Sequence, residues 1–198
     1  MRARSRGALA RPRMALRRLG RDRSGVAYIE MALLAPVLLL MYCGAYVVSD
    51  MVTCGRKVSL AAHTITDLTS QYSTVSAASL TAILANSAYV MAPYNSSSAG
   101  LRVSEIQITG ASTAVVVWSQ AQNATPLAVN TAVTLPANMA PTLMQPTTTG
   151  AGNGAYMIMG EISYPYTPGF GQGWLPAPNL YNRYFMLPRI STSIPTPT

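Results

Sequence analysis

The chain has 198 residues and a formal net charge of +8, from 14 Lys and Arg against 6 Asp and Glu. As a total, that charge suggests nucleic-acid binding. Its position excludes a basic domain, because residues 1–25 hold nine arginines and one aspartate, whereas residues 26–198 hold five basic and five acidic residues and are neutral. Charged residues are 10% of the chain, well below the roughly 25% of an ordinary soluble domain. We therefore expect a basic leader, one domain and no nucleic-acid partner.

After the leader, Val26 to Val48 form an apolar run with one charge, Glu30. As a helix this run is roughly 34 Å long, enough to cross a hydrocarbon core of about 30 Å. It is too long for the apolar core of a cleaved secretory signal, and no small-residue cleavage site closes it cleanly. The arginines before it and the neutral body after it predict a cytoplasmic N-terminus and an extracytoplasmic body. The sequence therefore predicts one membrane-spanning helix.

Glu30 is the residue that a plain single-span anchor does not explain. A carboxylate inside an apolar span costs a few kcal/mol at the centre, less near the end, and usually marks a function. Glu30 is the fifth residue after Gly25, and Pro36 follows six positions later. Pro36 removes one helical hydrogen bond, so it either kinks the helix or is simply tolerated, as prolines in membrane helices commonly are.

This arrangement of Gly25, Glu30 and Pro36 resembles the prepilin class of type IV filament proteins. More specifically, it is similar to the TadE/TadG-like minor pseudopilins of tight-adherence (Flp-type, type IVb/IVc) pili. That family reads roughly G-x-x-x-x-E-F-A-L-x-x-P and then an aliphatic run, and this chain departs from it at Met31, where an aromatic residue is common. Residues 56–71 also look like the family's stretch after the span, so the resemblance covers roughly residues 20–72.

The resemblance implies that a prepilin peptidase cuts between Gly25 and Val26 at the cytoplasmic face of a bacterial inner membrane. The new α-amine of Val26 would then pair with Glu30 of its own or a neighbouring chain and set the register of subunits. Its partners would be other pilins or pseudopilins and the pilus assembly platform. The alternative is an uncleaved single-span envelope anchor with a periplasmic interaction or ligand-binding domain. Translation from Met1 and from Met14 both fit the leader.

The helical pattern continues beyond the span. Apolar residues alternate at spacings of 4 and 3 from Val47 to Tyr72, so we predict one helix from about 27 to 71, with residues 49–72 as its amphipathic continuation. We expect this stripe to pack on the chain's own body rather than on a second chain. The stripe comprises Val47, Met51, Cys54, Val58, Ala61, Ile65, Leu68 and Tyr72.

The extracytoplasmic body, residues 73–190, has the pattern of a small α+β domain. A second helix is predicted over 77–91, capped by Ser76, and a hairpin over 103–109 and 113–120 around Gly110. Further strand candidates are 129–135, 155–164 and 184–187, and 121–150 is otherwise a long irregular connection. Residues 191–198 are expected to be a flexible tail without an anchor. With the long first helix, the predicted fold class is α+β and pilin-like.

An uncharged loop, residues 164–174, carries four aromatic residues among glycines and prolines. It is either a contact surface for partner subunits or, as we favour, a plug over the end of the sheet. The aromatic residues are Tyr164, Tyr166, Phe170 and Trp174.

The sequence offers no catalytic or metal-binding motif. The single histidine, His63, lies on the predicted amphipathic helix and is expected to be structural. Cys43 and Cys54 are 11 residues apart, about 16 Å along a helix, too far for a disulfide within one chain. We expect Cys43 to lie in lipid and Cys54 to be a free or buried thiol, or to pair with another chain. The chain is therefore expected to be neither an enzyme nor a binder of a metal, cofactor or small-molecule substrate.

Overall fold

The computed structural model describes residues 24–110, 112–136, 139, 155–171, 173 and 177–197. The leader before Ser24, residues 140–150 of the long connection, and Trp174 lie outside the described residues. The chain divides into two compact units between Tyr46 and Val47. We call the described residues of the first the anchor segment, Ser24–Tyr46, and those of the second the body.

Helix α1 covers Ser24–Ser70 and continues through Pro36 and Gly55, as the prediction of one long helix requires. Helix α2 covers Ala77–Ala88 and is followed by a 3-10 turn, Tyr89–Met91. Its first turn is capped as predicted, because the Ser76 side chain accepts a hydrogen bond from the Ser79 N–H at 3.1 Å.

Five antiparallel strands form one sheet in the order β3-β2-β1-β4-β5. The predicted hairpin is confirmed, with β1 and β2 joined around Gly110 and a bulge between Glu105 and Ile106. The described residues thus have the α+β layout that the sequence predicts. The strands are β1 Gly100–Ile108, β2 Thr113–Gln122, β3 Ala132–Thr134, β4 Tyr156–Pro165 and β5 Asn179–Met186.

Strand β1 begins three residues before the predicted 103, and β2 ends two residues after the predicted 120. Two other strands differ more. Strand β5 begins at Asn179 rather than Tyr184, because its pairing with β4 starts at Asn179, opposite Pro165. The first residues of β5 are partly polar, which hides the strand pattern in the sequence, but polar residues are tolerated in an edge strand. Strand β3 is only three residues long within the predicted 129–135, and it pairs with the start of β2.

The larger core lies between the sheet and the helices. The stripe of α1 enters it through Cys54, Val58, Ala61 and Ile65, all at most 1% exposed. Its packing on the chain's own body is therefore confirmed. The stripe ends earlier than predicted, because α1 ends at Ser70 and Tyr72 is left exposed.

Gly160 brings strand β4 close to α1. A Cβ at this position would overlap the Thr66 hydroxyl and come within 2.9 Å of the Ala62 carbonyl oxygen. Thr66, which the sequence pattern places off the apolar stripe, is fully buried here. It is accommodated because its hydroxyl donates to the Ala62 carbonyl at 2.8 Å.

A second, smaller apolar cluster covers the opposite face of the sheet. It includes Ile106 and Val116 from the hairpin, Met159 from β4 and Phe185 from β5. Both faces of the central strands are therefore buried, which explains why β4 reads as an almost continuous apolar run.

The expectation of a C-terminal tail without an anchor is wrong at Ile194. This residue is 1% exposed. Its N–H donates to the Glu105 carboxylate at 2.6 Å, and its carbonyl accepts from the Trp118 indole at 2.9 Å. Upstream, the Arg189 N–H donates to the Ser70 carbonyl at the end of α1 at 2.9 Å. The tail is held because it satisfies buried polar groups of the sheet.

Candidate functional site

The anchor segment of α1 presents its apolar side chains outward. Its large hydrophobic residues, from Val26 to Leu40, are all more than half exposed, and this helix is long and apolar enough to cross a membrane. Gly25 and Val26, the predicted cleavage pair, lie in its first turn. A helix that exposes apolar side chains on every face is suited to lipid rather than water.

Tyrosines stand at both ends of the apolar stretch. Tyr28 lies near its start, and Tyr42 and Tyr46 lie near its end, all well exposed. The spacing from Tyr28 to Tyr46 corresponds to about 27 Å along a helix. Tyrosine is enriched at the two water interfaces of a membrane because its ring is apolar and its hydroxyl is polar. The distribution therefore agrees with the limits expected for a membrane span.

Glu30 lies in the second turn of α1 with its side chain exposed. Neither of the two ion pairs found among the described residues includes it. Val26 precedes it by four positions, so the two residues are neighbours on one face of the helix. Pro36 lies on the same helix six residues later, where helical structure continues without a break.

Just beyond the predicted span, Asp50 joins α1 to two tyrosines of the body. The Tyr94 hydroxyl donates to its Oδ1 at 2.8 Å, and the Tyr166 hydroxyl donates to its Oδ2 at 2.7 Å. We call these three residues the Asp50 cluster. Burial, and then the hydrogen bond to Asp50, raise the pKa of Tyr94 well above that of a free tyrosine. The Tyr94 phenol therefore stays a protonated donor, and the cluster holds this turn of α1 in place.

The sequence did not reveal the Asp50 cluster. In the sequence Asp50 is one of five acidic residues after the leader, and its partners are 44 and 116 residues away. The one available signal was the carboxylate itself, because an acidic side chain on the buried side of an amphipathic helix requires hydrogen-bond donors.

The aromatic loop divides into two parts. Tyr164 and Tyr166 are buried at 6% and 2% exposure, and Tyr164 belongs to the larger core. Phe170 is 55% exposed. The first two residues are part of the packed interior, as a plug would be, whereas Phe170 is on the surface and available for contact.

A polar group lies on the face of the sheet away from α1. Arg102 Nε and Glu161 Oε2 are 2.7 Å apart, and the Tyr181 hydroxyl donates to the other oxygen of Glu161. Burial, the hydrogen bond and the charge of Glu161 raise the pKa of Tyr181 to about 12. The three side chains join β1, β4 and β5, so their arrangement is explained by sheet structure.

The remaining titratable candidates have structural surroundings. His63 packs edge-on against the Tyr184 ring, with centroids 4.6 Å apart. Both cysteines are free thiols. Burial and the nearby Asp50 raise the pKa of Cys54 to about 11, which leaves its thiol protonated and unreactive. Within the described residues, no group of three or more His, Cys, Asp or Glu is placed to hold a metal ion.

Comparison of the chain with protein-family models, with curated proteins and with solved structures finds no match.

Proposed function

We propose that the chain is a minor pseudopilin of a tight-adherence type pilus, anchored in a bacterial inner membrane with its body in the periplasm. A prepilin peptidase removes the leader after Gly25, and Val26 becomes the mature N-terminus. The protein acts by packing with other pilins and with the assembly platform rather than by catalysis.

The observation that carries this proposal is the position of Glu30. It is a carboxylate on a helix whose other side chains nearby are apolar and exposed, five residues after Gly25. After cleavage, the new amine of Val26 lies one helical turn from Glu30. A carboxylate in lipid is tolerated when it has such a cationic partner. The pilin-like architecture is supported by a long apolar helix whose outer half packs on a small α+β body.

Cleavage is tested by N-terminal sequencing of the protein from its own cells. We expect a mature chain beginning at Val26, and an uncut chain from Gly25→Val. A Cβ at Gly25 meets no neighbouring atom, so this change acts on the peptidase site and not on folding. Gly44→Ala is the matched control, since Gly44 lies in the same helix with similar space, and it should be processed normally. A wild-type chain that keeps Met1 or Met14 would contradict the proposal.

Assembly is tested by Glu30→Ala, followed by counting surface pili. The variant should still be cleaved and inserted but should fail to support filaments. Leu33→Ala, an exposed neighbour in the same span, should leave filaments unchanged. Normal filament numbers with Glu30→Ala would remove the role assigned to this carboxylate.

The second candidate is an uncleaved envelope anchor whose body binds a partner or ligand in the periplasm. The exposed Phe170 on an uncharged loop favours it. The same N-terminal sequencing separates the two candidates, because only the pseudopilin loses its leader.

A further inference from the structure

The loop that connects β4 to β5 is held at its base by a backbone hydrogen bond. The Tyr166 N–H donates to the Pro178 carbonyl at 3.0 Å and closes the loop between β4 and β5. Tyr166 and Pro168 are buried, whereas Gly169 and Phe170 are exposed. The described part that begins this loop, Tyr166–Gly171, is called the exit segment.

The exit segment lies at the end of the body from which the predicted span departs. Strand β4 passes Thr66 of α1 at Gly160 and reaches Asp50 at Tyr166. Six residues of strand cover about 20 Å, and sixteen residues of helix cover about 24 Å, so strand and helix run antiparallel over the same distance.

Strand β5 returns in the opposite direction. Asn182 donates to the Ser59 hydroxyl at 2.5 Å, and Tyr184 packs on His63, so β5 moves away from Asp50 as it proceeds. Both ends of the loop therefore lie at the level of Asp50, and the β1–β2 hairpin turn lies at the other end of the sheet.

This level is that of the lipid headgroups. Asp50 follows Val48, the last residue of the predicted span, by two positions, about 3 Å along the helix. The headgroup layer extends about 5–7 Å beyond the hydrocarbon core on each side. The hydroxyl of Tyr166 is 2.7 Å from Asp50, so the base of the loop reaches that layer.

The exit segment has the chemistry of a membrane-interface contact. Phe170 is a large apolar side chain, 55% exposed, next to Gly171, which has a φ of 79°. No charged residue occurs between Glu161 and Arg183, so inserting the segment would desolvate no charge. Aromatic side chains at this depth are stabilised by the headgroup and upper acyl region.

We propose that the exit segment docks on the lipid surface, with Phe170 inserted among the headgroups. The Asp50 cluster holds the base of the segment, so α1 and Phe170 give the body two separate points of membrane contact. This inference depends on the membrane span but not on cleavage after Gly25.

The test places a nitroxide on the full chain in phosphatidylcholine–phosphatidylglycerol vesicles, in a Cys43→Ala, Cys54→Ala background. Separate labels are attached through Phe170→Cys, through Ser112→Cys in the exposed hairpin turn at the far end of the sheet, and through Leu39→Cys in the anchor segment. Collision rates with oxygen, which concentrates in lipid, and with a water-soluble nickel complex are measured by electron paramagnetic resonance.

We expect the oxygen-to-nickel ratio at position 170 to be severalfold higher than at position 112 and lower than at position 39. A ratio at 170 equal to that at 112, with a lipid value at 39, would overturn the proposal and leave the span intact. Low collision rates with both reagents at 170 would show a protein contact, from a second copy or a partner, and would also overturn it. An aqueous value at position 39 would refute the span together with this inference.

Discussion

The two halves of helix α1 differ in what covers their apolar side chains. From Val26 to Val48 apolar residues surround the helix and most of them are exposed, whereas from Cys54 to Ile65 the apolar stripe is buried against the sheet. The first half is apolar without a preferred face, so only an apolar solvent can cover it. The second half is apolar on one face, and a folded domain can cover it.

The comparison shows that hydropathy alone does not say what surrounds a helix. Val37 and Val58 are the same residue type in the same helix, yet Val37 is 54% exposed and Val58 is 1% exposed. The difference arises from the rest of the helix surface, which is apolar on every side around Val37, whereas Arg56 and Lys57 make one side of the helix polar around Val58.

The largest expected effect on stability comes from a substitution in the buried half of α1, compared with one in its exposed half. Ile65→Ala removes a fully buried side chain and should lower the free energy of unfolding of the body by about 2–5 kcal/mol. Leu39→Ala, in the exposed half, should leave it unchanged within about 0.5 kcal/mol. Urea unfolding of the full chain in detergent micelles measures both. Equal losses from the two variants would mean that the anchor segment shares the folding core of the body.

Gly160→Ala tests how closely the buried half approaches the sheet. The added methyl group meets the Thr66 hydroxyl and the Ala62 carbonyl, so we expect a loss of about 1–3 kcal/mol from overpacking. Gly169→Ala is the control, since its Cβ has no neighbour within 4 Å. The melting temperature reports both changes, and an unaltered value for Gly160→Ala would show that α1 can move away from β4.

A carboxylate lies among apolar groups in each environment, Glu30 in the anchor segment and Glu105 in the core. Burial raises the pKa of Glu105, and the Ile194 N–H and Trp118 oppose that rise. The folded state then holds the proton more tightly than the unfolded chain does. Its stabilising effect is complete below the ordinary glutamate pKa of about 4.3 and is lost as pH rises through the folded-state pKa.

The measurement is the difference in unfolding free energy between the wild type and Glu105→Gln across this pH range. We expect the wild type to lose about 1.4 kcal/mol relative to the variant for each unit by which the pKa is raised. A constant difference between the two proteins would disprove the coupling.

The smallest expected loss of stability is at the Asp50 cluster, which lies on α1 between its exposed half and its buried half. Tyr94→Phe and Tyr166→Phe should each cost about 1 kcal/mol, because each removes a hydroxyl that donates to Asp50. Tyr89→Phe, at an exposed position, should cost nothing measurable. Combining each variant with Asp50→Asn in a double-mutant cycle isolates the pairwise energy, and a coupling of zero would show that the cluster does not stabilise the body.

Much of the fold follows from local patterns. The stripe of α1, the cap at Ser76 and the hairpin around Gly110 depend on residues within a few positions of one another, and all three are found. The beginning of β5 was missed because its polar residues become strand only through pairing with β4. The functional interpretation of Gly25, Val26 and Glu30 stays a prediction, since the fold places these residues without testing what acts on them.

The sequence by itself determined the basic leader, the apolar span, the amphipathic continuation and the α+β class, because composition and short-range periodicity carry that information. Only the tertiary structure decided which polar groups are satisfied across long separations. It joined Asp50 to Tyr94 and Tyr166, and Ile194 to Glu105 and Trp118. It also left Phe170 exposed while burying Tyr166. These outcomes depend on chain closure over as many as 116 residues, and no periodic pattern records which distant partner will satisfy a buried group.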